Sequence, residues 1–242
     1  MIVLLSGEGP TDLGCCNIAA ESCSDENFSV GPMTILIDNL IEQSLNYRPL
    51  EVAPNTYRYY SERALANRAR ARRRNRPLML SGKKHAQETG YFHINAWMLG
   101  EIAVELELAE EDKSIAVLFR DSDGTNSSKS DHWRVRYQSM ITGFQRADYE
   151  RGVPMVPRPK SEAWLLCAAK RVPYQNCGHL EDLPGNDNSP NSAKGQLETA
   201  LNNQTSAQNL VDWLQRVEFD DICVADQMPS FNFFRERLLE VL

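Results

Sequence analysis

Two aspartates after an apolar segment in mid-chain are the residues best suited to chemistry. Residues 115–119 are apolar and lead into Asp121-Ser122-Asp123-Gly124. This pattern predicts a buried strand, and ligands of open α/β sheets bind beyond the carboxyl ends of such strands. Because side chains alternate along extended backbone, Asp121 and Asp123 are expected to point the same way. Two carboxylates about 4 Å apart repel by roughly 4 kcal/mol at an effective dielectric of 20, so a hard cation such as Mg²⁺ is expected between them. The alternative is an acidic turn that caps the next helix.

A second carboxylate pair follows the first predicted strand, residues 2–5. Glu8 and Asp12 lie in the segment SGEGPTD, where glycines flank Glu8 and allow a tight turn. If residues 9–13 begin a helical turn, Glu8 and Asp12 share a face. The segment therefore predicts carboxylates at a second strand end.

A third polar cluster follows a predicted strand at residues 152–156. It contains Lys160 and Glu162 and precedes an apolar helix start at residues 163–166. Glu162 has an alternative role as a favourable charge in the first turn of that helix. Helical patterns separate these strands, so the sequence predicts an α/β fold with a mostly parallel sheet. Further helices are predicted at residues 33–45, 91–108, 132–146, 194–202, 207–216 and 231–242, with loops at 15–30 and 176–193.

Positive charge is concentrated between the first two clusters. The 242-residue chain has a net charge of −7, but residues 58–84 hold ten Lys and Arg against one acid. Residues 61–75 predict a helix whose arginines cover more than one face. One interpretation is a helix that grips phosphates, and the other is a solvated helix paired with acids of this chain. The candidate nucleic-acid-binding residues are Arg63, Arg68, Arg70, Arg72, Arg73, Arg74, Arg76, Lys83 and Lys84.

Cysteine spacing and hydropathy bear on the compartment. No apolar run approaches 18 residues, so no membrane span is expected, and the first residues lack the pattern of a signal peptide. The six cysteines have no CxxC pair, which favours free thiols in the cytoplasm. A less regular alternative is a zinc site built from Cys15 or Cys16 with Cys23, Cys177 and His179.

The order of the three clusters resembles the Toprim family. GEGPTD, RDSDG and PRPKSE each follow a predicted strand, as in this Rossmann-like domain of topoisomerases, primases and overcoming-lysogenization-defect (OLD) nucleases. On this resemblance Glu8, Asp121 and Asp123 match the core acidic motifs, and Asp12 matches an aspartate of the OLD-like branch. The stretches EAWLL, LPGNDNSPNSAKGQL and MPSFNFF are similar to small standalone Toprim proteins of bacterial defence loci. The segment that holds the arginine helix departs from compact Toprim domains.

The resemblance implies a Rossmann-like Toprim catalytic domain at residues 1–175. It would carry an insertion at 48–90, and a helical C-terminal appendage at 176–242 would pack on the same domain. The implied activity is a nuclease that acts on DNA or RNA with two Mg²⁺ or Mn²⁺ ions, as the effector of an anti-phage defence system. Because the chain has no GxxxxGK[ST] motif, the expected protein partner is a separate ABC- or AAA-like ATPase.

The same resemblance assigns roles to the acidic residues and the lysine. The metal ligands would be Glu8, Asp12, Asp121, Asp123 and Glu162. Lys160 would stabilise developing negative charge, and Glu8 is alternatively a general base.

Two other functions remain open at this point. Residues 121–125, DSDGT, also match the DxDGT motif of haloacid-dehalogenase-like phosphatases, with Asp121 as nucleophile and Asp123 as acid/base. In that case Lys160 and Asp220-Asp221 would supply the later motifs, but the Glu8 and Asp12 pair would have no role. The remaining alternative is a non-catalytic Toprim-like subunit that binds nucleic acid or regulates a partner.

Overall fold

The computed structural model describes residues 1–75, 89–122 and 130–242, except for the side chains of residues 73–75, 89 and 130–132. The fold is α/β, as predicted, around a five-stranded and mostly parallel sheet with the order β3-β5-β1-β6-β7. The strands are β1 (Ile2–Ser6), β2 (Gly14–Cys16), β3 (Ser22–Ser24), β4 (Phe28–Val30), β5 (Tyr57–Tyr60), β6 (Ser114–Phe119) and β7 (Gly152–Met155). β2 and β4 form a separate antiparallel pair.

Parallel pairing brings several strand ends to one edge of the sheet. β1 pairs in parallel with β5 on one side and with β6 on the other, and β6 pairs in parallel with β7. β3 runs antiparallel to β5 at the sheet margin. β1, β6 and β7 are buried along their whole length, as expected of parallel strands covered on both faces. The segments that follow β5, β1, β6 and β7 therefore start at the same edge.

Helices cover both faces of the sheet. They are α1 (Pro32–Leu45), α2 (Pro49–Val52), α3 (Glu62–Asn75), α4 (Thr89–Glu110), α5 (Ser130–Arg146), α6 (Ser161–Ala169), α7 (Ala193–Ala200), α8 (Ala207–Arg216), α9 (Asp221–Gln227) and α10 (Pro229–Val241). Short 3₁₀ turns occur at Asp25–Asn27, Pro54–Thr56 and Gly178–Asp182.

The alternation of side chains along β1 divides the core in two. Val3 and Leu5 pack in one cluster with α1 and α6–α10. Ile2 and Leu4 pack in the other cluster with α3, α4 and α5. The C-terminal helices thus share a core with the first strand. β5, which lies within the predicted insertion at 48–90, forms part of the main sheet.

One sequence prediction about local structure was wrong. Residues 15–30 were expected to be a loop, but β2, β3 and β4 lie there or begin just before. Each of these strands has three residues, too few to show the alternation that marks a strand. The short helix α9 was also not predicted. Its N-cap is Asp220, whose side chain accepts a hydrogen bond from the Cys223 amide.

The cysteine prediction was also wrong for four of the six thiols. Disulfides join Cys16 to Cys23 and Cys167 to Cys177, and Cys15 and Cys223 are free. The bonded cysteines lie 7 and 10 residues apart, a spacing that does not by itself indicate a disulfide. The fold brings their Cα atoms to 5.7 and 5.4 Å, which allows the bonds to form. Three cysteines of the alternative zinc site are thereby occupied.

The two disulfides bear on the predicted location of the protein in the cell. Disulfides persist mainly in oxidising compartments, so placement in the cytoplasm stays a prediction. No helix in the described ranges is long and apolar enough to cross a membrane.

Thiol titration distinguishes the two cysteine states. Protein purified without reductant and then denatured is expected to expose two reactive thiols, and reduction is expected to raise this number to six. The physical reason is that a disulfide sulfur does not react with thiol reagents. Six thiols before any reduction would contradict the two cross-links.

Candidate metal centre

Three of the predicted acidic clusters meet at the carboxyl edge of the sheet. Glu8 and Asp12 follow β1, Asp121 follows β6, and Glu162 lies in the first turn of α6, after β7. Because β1, β6 and β7 are neighbours in the sheet, these residues come together although they are distant in sequence. Asp123 lies outside the described residues.

A chain of hydrogen bonds links three of the carboxylates. The Asp121 amide donates to Glu8 Oε1 at 3.3 Å. The Ser161 amide donates to Asp121 Oδ1 at 3.2 Å, and the Ser161 hydroxyl donates to Asp12 Oδ1 at 2.5 Å. Ser161 therefore orients two carboxylates at once, one through its backbone and one through its side chain.

Asp12 is positioned by a backbone bend and not by the helical turn that the sequence suggested. The segment between β1 and β2 contains no helix. The Asp12 carbonyl accepts a hydrogen bond from the Met33 amide at 3.0 Å. The neighbouring Leu13 carbonyl accepts from the Gly31 amide at 2.9 Å and from the Thr34 hydroxyl at 2.6 Å. The start of α1 thus fixes the backbone that carries Asp12.

This attachment requires glycine at two positions. A Cβ atom at Gly31 would lie 2.2 Å from the Asp12 carbonyl oxygen, and one at Gly14 would lie 2.0 Å from the Ser29 carbonyl oxygen. Gly14 also has a φ of +111°, which L side chains rarely adopt. These contacts involve backbone atoms, so no side-chain rotation can relieve them.

Gly31→Ala is expected to lower the free energy of unfolding by about 3 kcal/mol or more, because it forces two backbone segments apart. Urea denaturation monitored by circular dichroism measures the change. The matched control is Gly90→Ala in α4, where an added Cβ meets nothing within 4 Å and the helix tolerates alanine. Equal stability of the two variants would contradict the close approach of these segments.

The carboxylates share a buried and crowded environment. The pKa of Asp12 is raised to about 6, chiefly by burial, with further contributions from the charges of Glu162 and Glu8. Hydrogen bonds from Ser161 and Thr11 oppose the shift. Burial also raises the pKa of Glu162. Burial therefore disfavours the ionised form of both groups, and an additional positive charge would favour it.

The donor set fits a hard cation. Glu8, Asp12, Asp121 and Glu162 offer only carboxylate oxygens, the ligands that Mg²⁺ prefers. A divalent ion among them would offset the repulsion and burial that hold the pKa of Asp12 high. Within residues 1–75, 89–122 and 130–242, no three His, Cys, Asp or Glu side chains stand close enough together to form a ready-made metal site.

Lys160 borders the site with its charge directed to a loop carboxylate. It is the N-cap residue of α6, and its ammonium lies 2.8 Å from Asp187 Oδ1. Asp187 also pairs with Lys194 at 3.6 Å. The loop that contains Asp187 is therefore tied to the start of α6, next to the carboxylates.

Arg120 is a site residue that the sequence analysis missed. Its side chain is 0% exposed, and its Nη1 lies 3.8 Å from Glu8 Oε2 and 3.6 Å from Glu62 Oε2. Its guanidinium lies 5.0 Å from the centre of the Tyr91 ring. None of its three nitrogens has a hydrogen-bond partner within the described part of the chain. The available clue was a cation directly before Asp121 at the end of an apolar strand.

The arginine helix presents two different faces. Arg68 and Arg72 face α4, where Arg68 pairs with Glu101 and Glu105, and Arg72 pairs with Glu101 at 2.5 Å. These two arginines match the interpretation of a helix paired with acids of this chain.

The other described face of α3 is open to solvent. The Arg63 side chain is 82% exposed and lies 3.2 Å from Glu21 Oε1. Arg70 is exposed and donates to Asn67 Oδ1 at 3.2 Å. The side chains of Arg73 and Arg74, and all of Arg76, Lys83 and Lys84, lie outside the description.

The aspartates assigned to the later phosphatase motif have structural partners. Asp220 caps α9, and Asp221 accepts hydrogen bonds from Gln43 at 2.8 Å and from Arg235. These contacts join α1, α9 and α10. None of these bonds involves Glu8, Asp12, Asp121 or Glu162.

These features define an α/β protein with an acidic site at the carboxyl edge of a parallel sheet. Comparisons with protein-family models, with curated proteins and with solved structures each gave no match for this chain.

Proposed function

We propose that this protein is a divalent-metal-dependent nuclease of the Toprim type that cleaves phosphodiester bonds in DNA or RNA. The observation that carries the proposal is the convergence of Glu8, Asp12 and Asp121 through Ser161, with Glu162 in the adjoining turn. An anionic phosphodiester repels a group of carboxylates, so a site of this composition acts on it through cations.

The residues of the chain have distinct roles in this proposal. Bound Mg²⁺ or Mn²⁺ would supply the Lewis acid that activates water and stabilises the leaving oxygen. Glu8, Asp12, Asp121 and Glu162 would hold the ions, together with Asp123. Ser161 orients two of these ligands, and the Asp121 amide orients Glu8.

Two cations of the chain accompany the carboxylates. Arg120 lies beside Glu8, with its Nη1 3.8 Å from Glu8 Oε2, and its positive charge partly balances the carboxylates. Lys160, at the start of α6, is the proposed group for stabilising developing negative charge.

The Toprim assignment is supported by the order of the acidic motifs on neighbouring parallel strands. The proposed role in anti-phage defence and the separate ATPase partner follow from that assignment. The positively charged face of α3 supports nucleic acid as the substrate, because α3 begins at the carboxyl end of β5, the strand that neighbours β1. Its exposed arginines therefore lie on the same edge of the sheet as the carboxylates.

The direct test is cleavage of single- and double-stranded DNA and of RNA with Mg²⁺ or Mn²⁺, with p-nitrophenyl phosphate as a phosphatase substrate. Products from at least one nucleic acid that disappear in EDTA are expected, with no release of nitrophenolate. Titration with Mn²⁺, followed by electron paramagnetic resonance, measures ion binding without turnover. Nitrophenolate release without nucleic-acid cleavage would favour the phosphatase. Mn²⁺ binding without any cleavage would favour a non-catalytic subunit or a need for the ATPase.

A further inference from the structure

An open pocket of about 560 Å³ adjoins the acidic site. One wall is the loop after β1, including Gly7 and Gly9, which flank Glu8. The opposite wall is the first part of α3, including Glu62, Arg63 and Arg70. The volume lies within the roughly 300–1,000 Å³ of typical small-molecule sites. A ligand in this pocket would therefore lie beside the backbone of a proposed metal ligand.

The charges of the pocket favour an anion. Arg63 and Arg70 line it from the exposed face of α3. Glu62 is the acid among the described lining residues; its side chain is 45% exposed, and its carboxylate contacts Arg120 and the Tyr91 hydroxyl. Its Oε2 lies 3.6 Å from Arg120 Nη1, and its Oε1 accepts a hydrogen bond from the Tyr91 hydroxyl. Arg63 and Arg70 thus supply the positive charge of the pocket, and an anionic ligand would share the guanidinium of Arg63 with Glu21, which lies 3.2 Å from it.

Arg120 provides a second and independent indication of an anionic ligand. A fully buried guanidinium without a hydrogen bond is unfavourable, because its N–H donors have left water without gaining an acceptor. Arg120 lies between Glu8, a residue of the acidic site, and Glu62, a residue of the pocket. An anionic oxygen at this boundary would give the guanidinium the acceptor it lacks.

The pocket also has apolar lining. Pro10, Ile18 and Ala20 contribute to it, Ala66 lies between the two arginines on α3, and Ile18 is 51% exposed. Apolar surface beside two arginines suits a ligand with a flat organic part and an anionic part. A nucleotide has this combination, since its base contacts apolar surface and its phosphates bind guanidinium groups.

We propose that this pocket is the subsite for the nucleotide next to the phosphodiester that is cleaved. The base and sugar lie against Ile18 and Pro10, and the outer phosphate binds Arg63 and Arg70. The inner phosphate lies toward Arg120 and the carboxylates. This proposal rests on the proposed nuclease function and extends it, because it sets the path of the strand from the acidic site along α3.

The test is a binding measurement that needs no catalysis. The probe is thymidine 3′,5′-bisphosphate, a nucleotide with two phosphates, titrated by calorimetry with Ca²⁺ in place of Mg²⁺. Ile18→Asp is expected to weaken binding about 5-fold and Ile18→Lys to tighten it about 3-fold, because the two changes place opposite charges at the pocket. Ile18 is exposed, so neither change disturbs the core.

Two further variants test the wall formed by α3. Arg63→Glu combined with Arg70→Glu is expected to weaken binding at least about 30-fold. Ala66→Trp is expected to abolish binding by filling the pocket, provided that its melting temperature matches the wild type. The matched control is Arg171→Glu, an exposed arginine outside the pocket, which is expected to bind like the wild type.

The outcomes separate the subsite from the nuclease function. Binding that responds to Ile18 in the expected directions supports the subsite even if no nucleic acid is cleaved. If the wild type cleaves nucleic acid but the Ile18 and Ala66 variants bind the probe as the wild type does, the subsite is wrong and the nuclease function still holds. Absence of probe binding to the wild type would also overturn the subsite.

Discussion

Asp121→Asn and Glu8→Gln are each expected to lower metal-dependent cleavage by about 10²–10³-fold or more. Each change keeps the size of the side chain and removes one negative charge from the group that would hold the ions. In Asp121→Asn the side-chain oxygen can still accept the hydrogen bond from the Ser161 amide. In Glu8→Gln the side-chain oxygen can still accept the hydrogen bond from the Asp121 amide. The loss is therefore expected in activity and ion affinity and not in folding. Initial cleavage rates and Mn²⁺ titrations of both variants measure it.

The matched control is Asp212→Asn, which neutralises an exposed aspartate of α8. We expect this variant to cleave like the wild type. Wild-type rates in both site variants would remove the acidic cluster from the mechanism. Loss of phosphatase activity in Asp121→Asn, with Glu8→Gln unaffected, would instead identify Asp121 as a phosphatase nucleophile.

The second large effect is a pH dependence of stability in the metal-free protein. The pKa of Asp12 is about 6 in the folded state, against 3.8 for an unperturbed aspartate. A raised pKa means that folding favours the protonated form. The stabilisation is full below pH 3.8 and is lost as the pH rises through about 6. We expect a loss of about 2–3 kcal/mol of unfolding free energy across this window.

Urea denaturation of wild type and Asp12→Asn in EDTA, at several pH values between 4 and 8, measures this effect. The side-chain amide introduced by Asp12→Asn cannot ionise, so the variant is expected to be the more stable protein at pH 8 and to show a shallower loss from pH 4 to 6. Glu162, whose pKa is also raised, keeps part of the slope. Saturating Mg²⁺ is expected to stabilise the wild type more than the variant. Parallel curves for the two proteins would contradict a destabilising charge at Asp12.

The sheet and the position of the acidic site could be predicted because their signals are local. β1, β6 and β7 are short apolar segments, and each is followed by the polar residues that its carboxyl end presents. Strand ends of a parallel sheet lie at one edge, so the sequence alone predicts that Glu8, Asp121 and Glu162 lie at the same edge. The long helices α1, α4 and α5 were predicted for the same reason, since their apolar residues recur along many turns.

The features that were missed depend on tertiary contacts that leave no signal in the local sequence. The disulfides form because the fold brings together cysteines without a characteristic spacing. The burial of Arg120 depends on α4, which places Tyr91 over its guanidinium. Likewise, Arg68 pairs with α4 while Arg63 remains exposed. The number of charges in one segment cannot show which arginine is paired and which is exposed, because the acids that pair with Arg68 lie in α4, far along the chain.

The hydrogen bonds of the acidic site also have a consequence for biosynthesis. Glu8 is joined to Asp121 across 113 residues, and Asp12 is joined to Ser161 across 149 residues. Glu8 and Asp12 leave the ribosome long before Ser161, so a nascent chain cannot complete the cluster until the first residues of α6 have left the exit tunnel. Prematurely terminated products that end before Ser161 would lack both Ser161 and Glu162 and therefore the complete cluster.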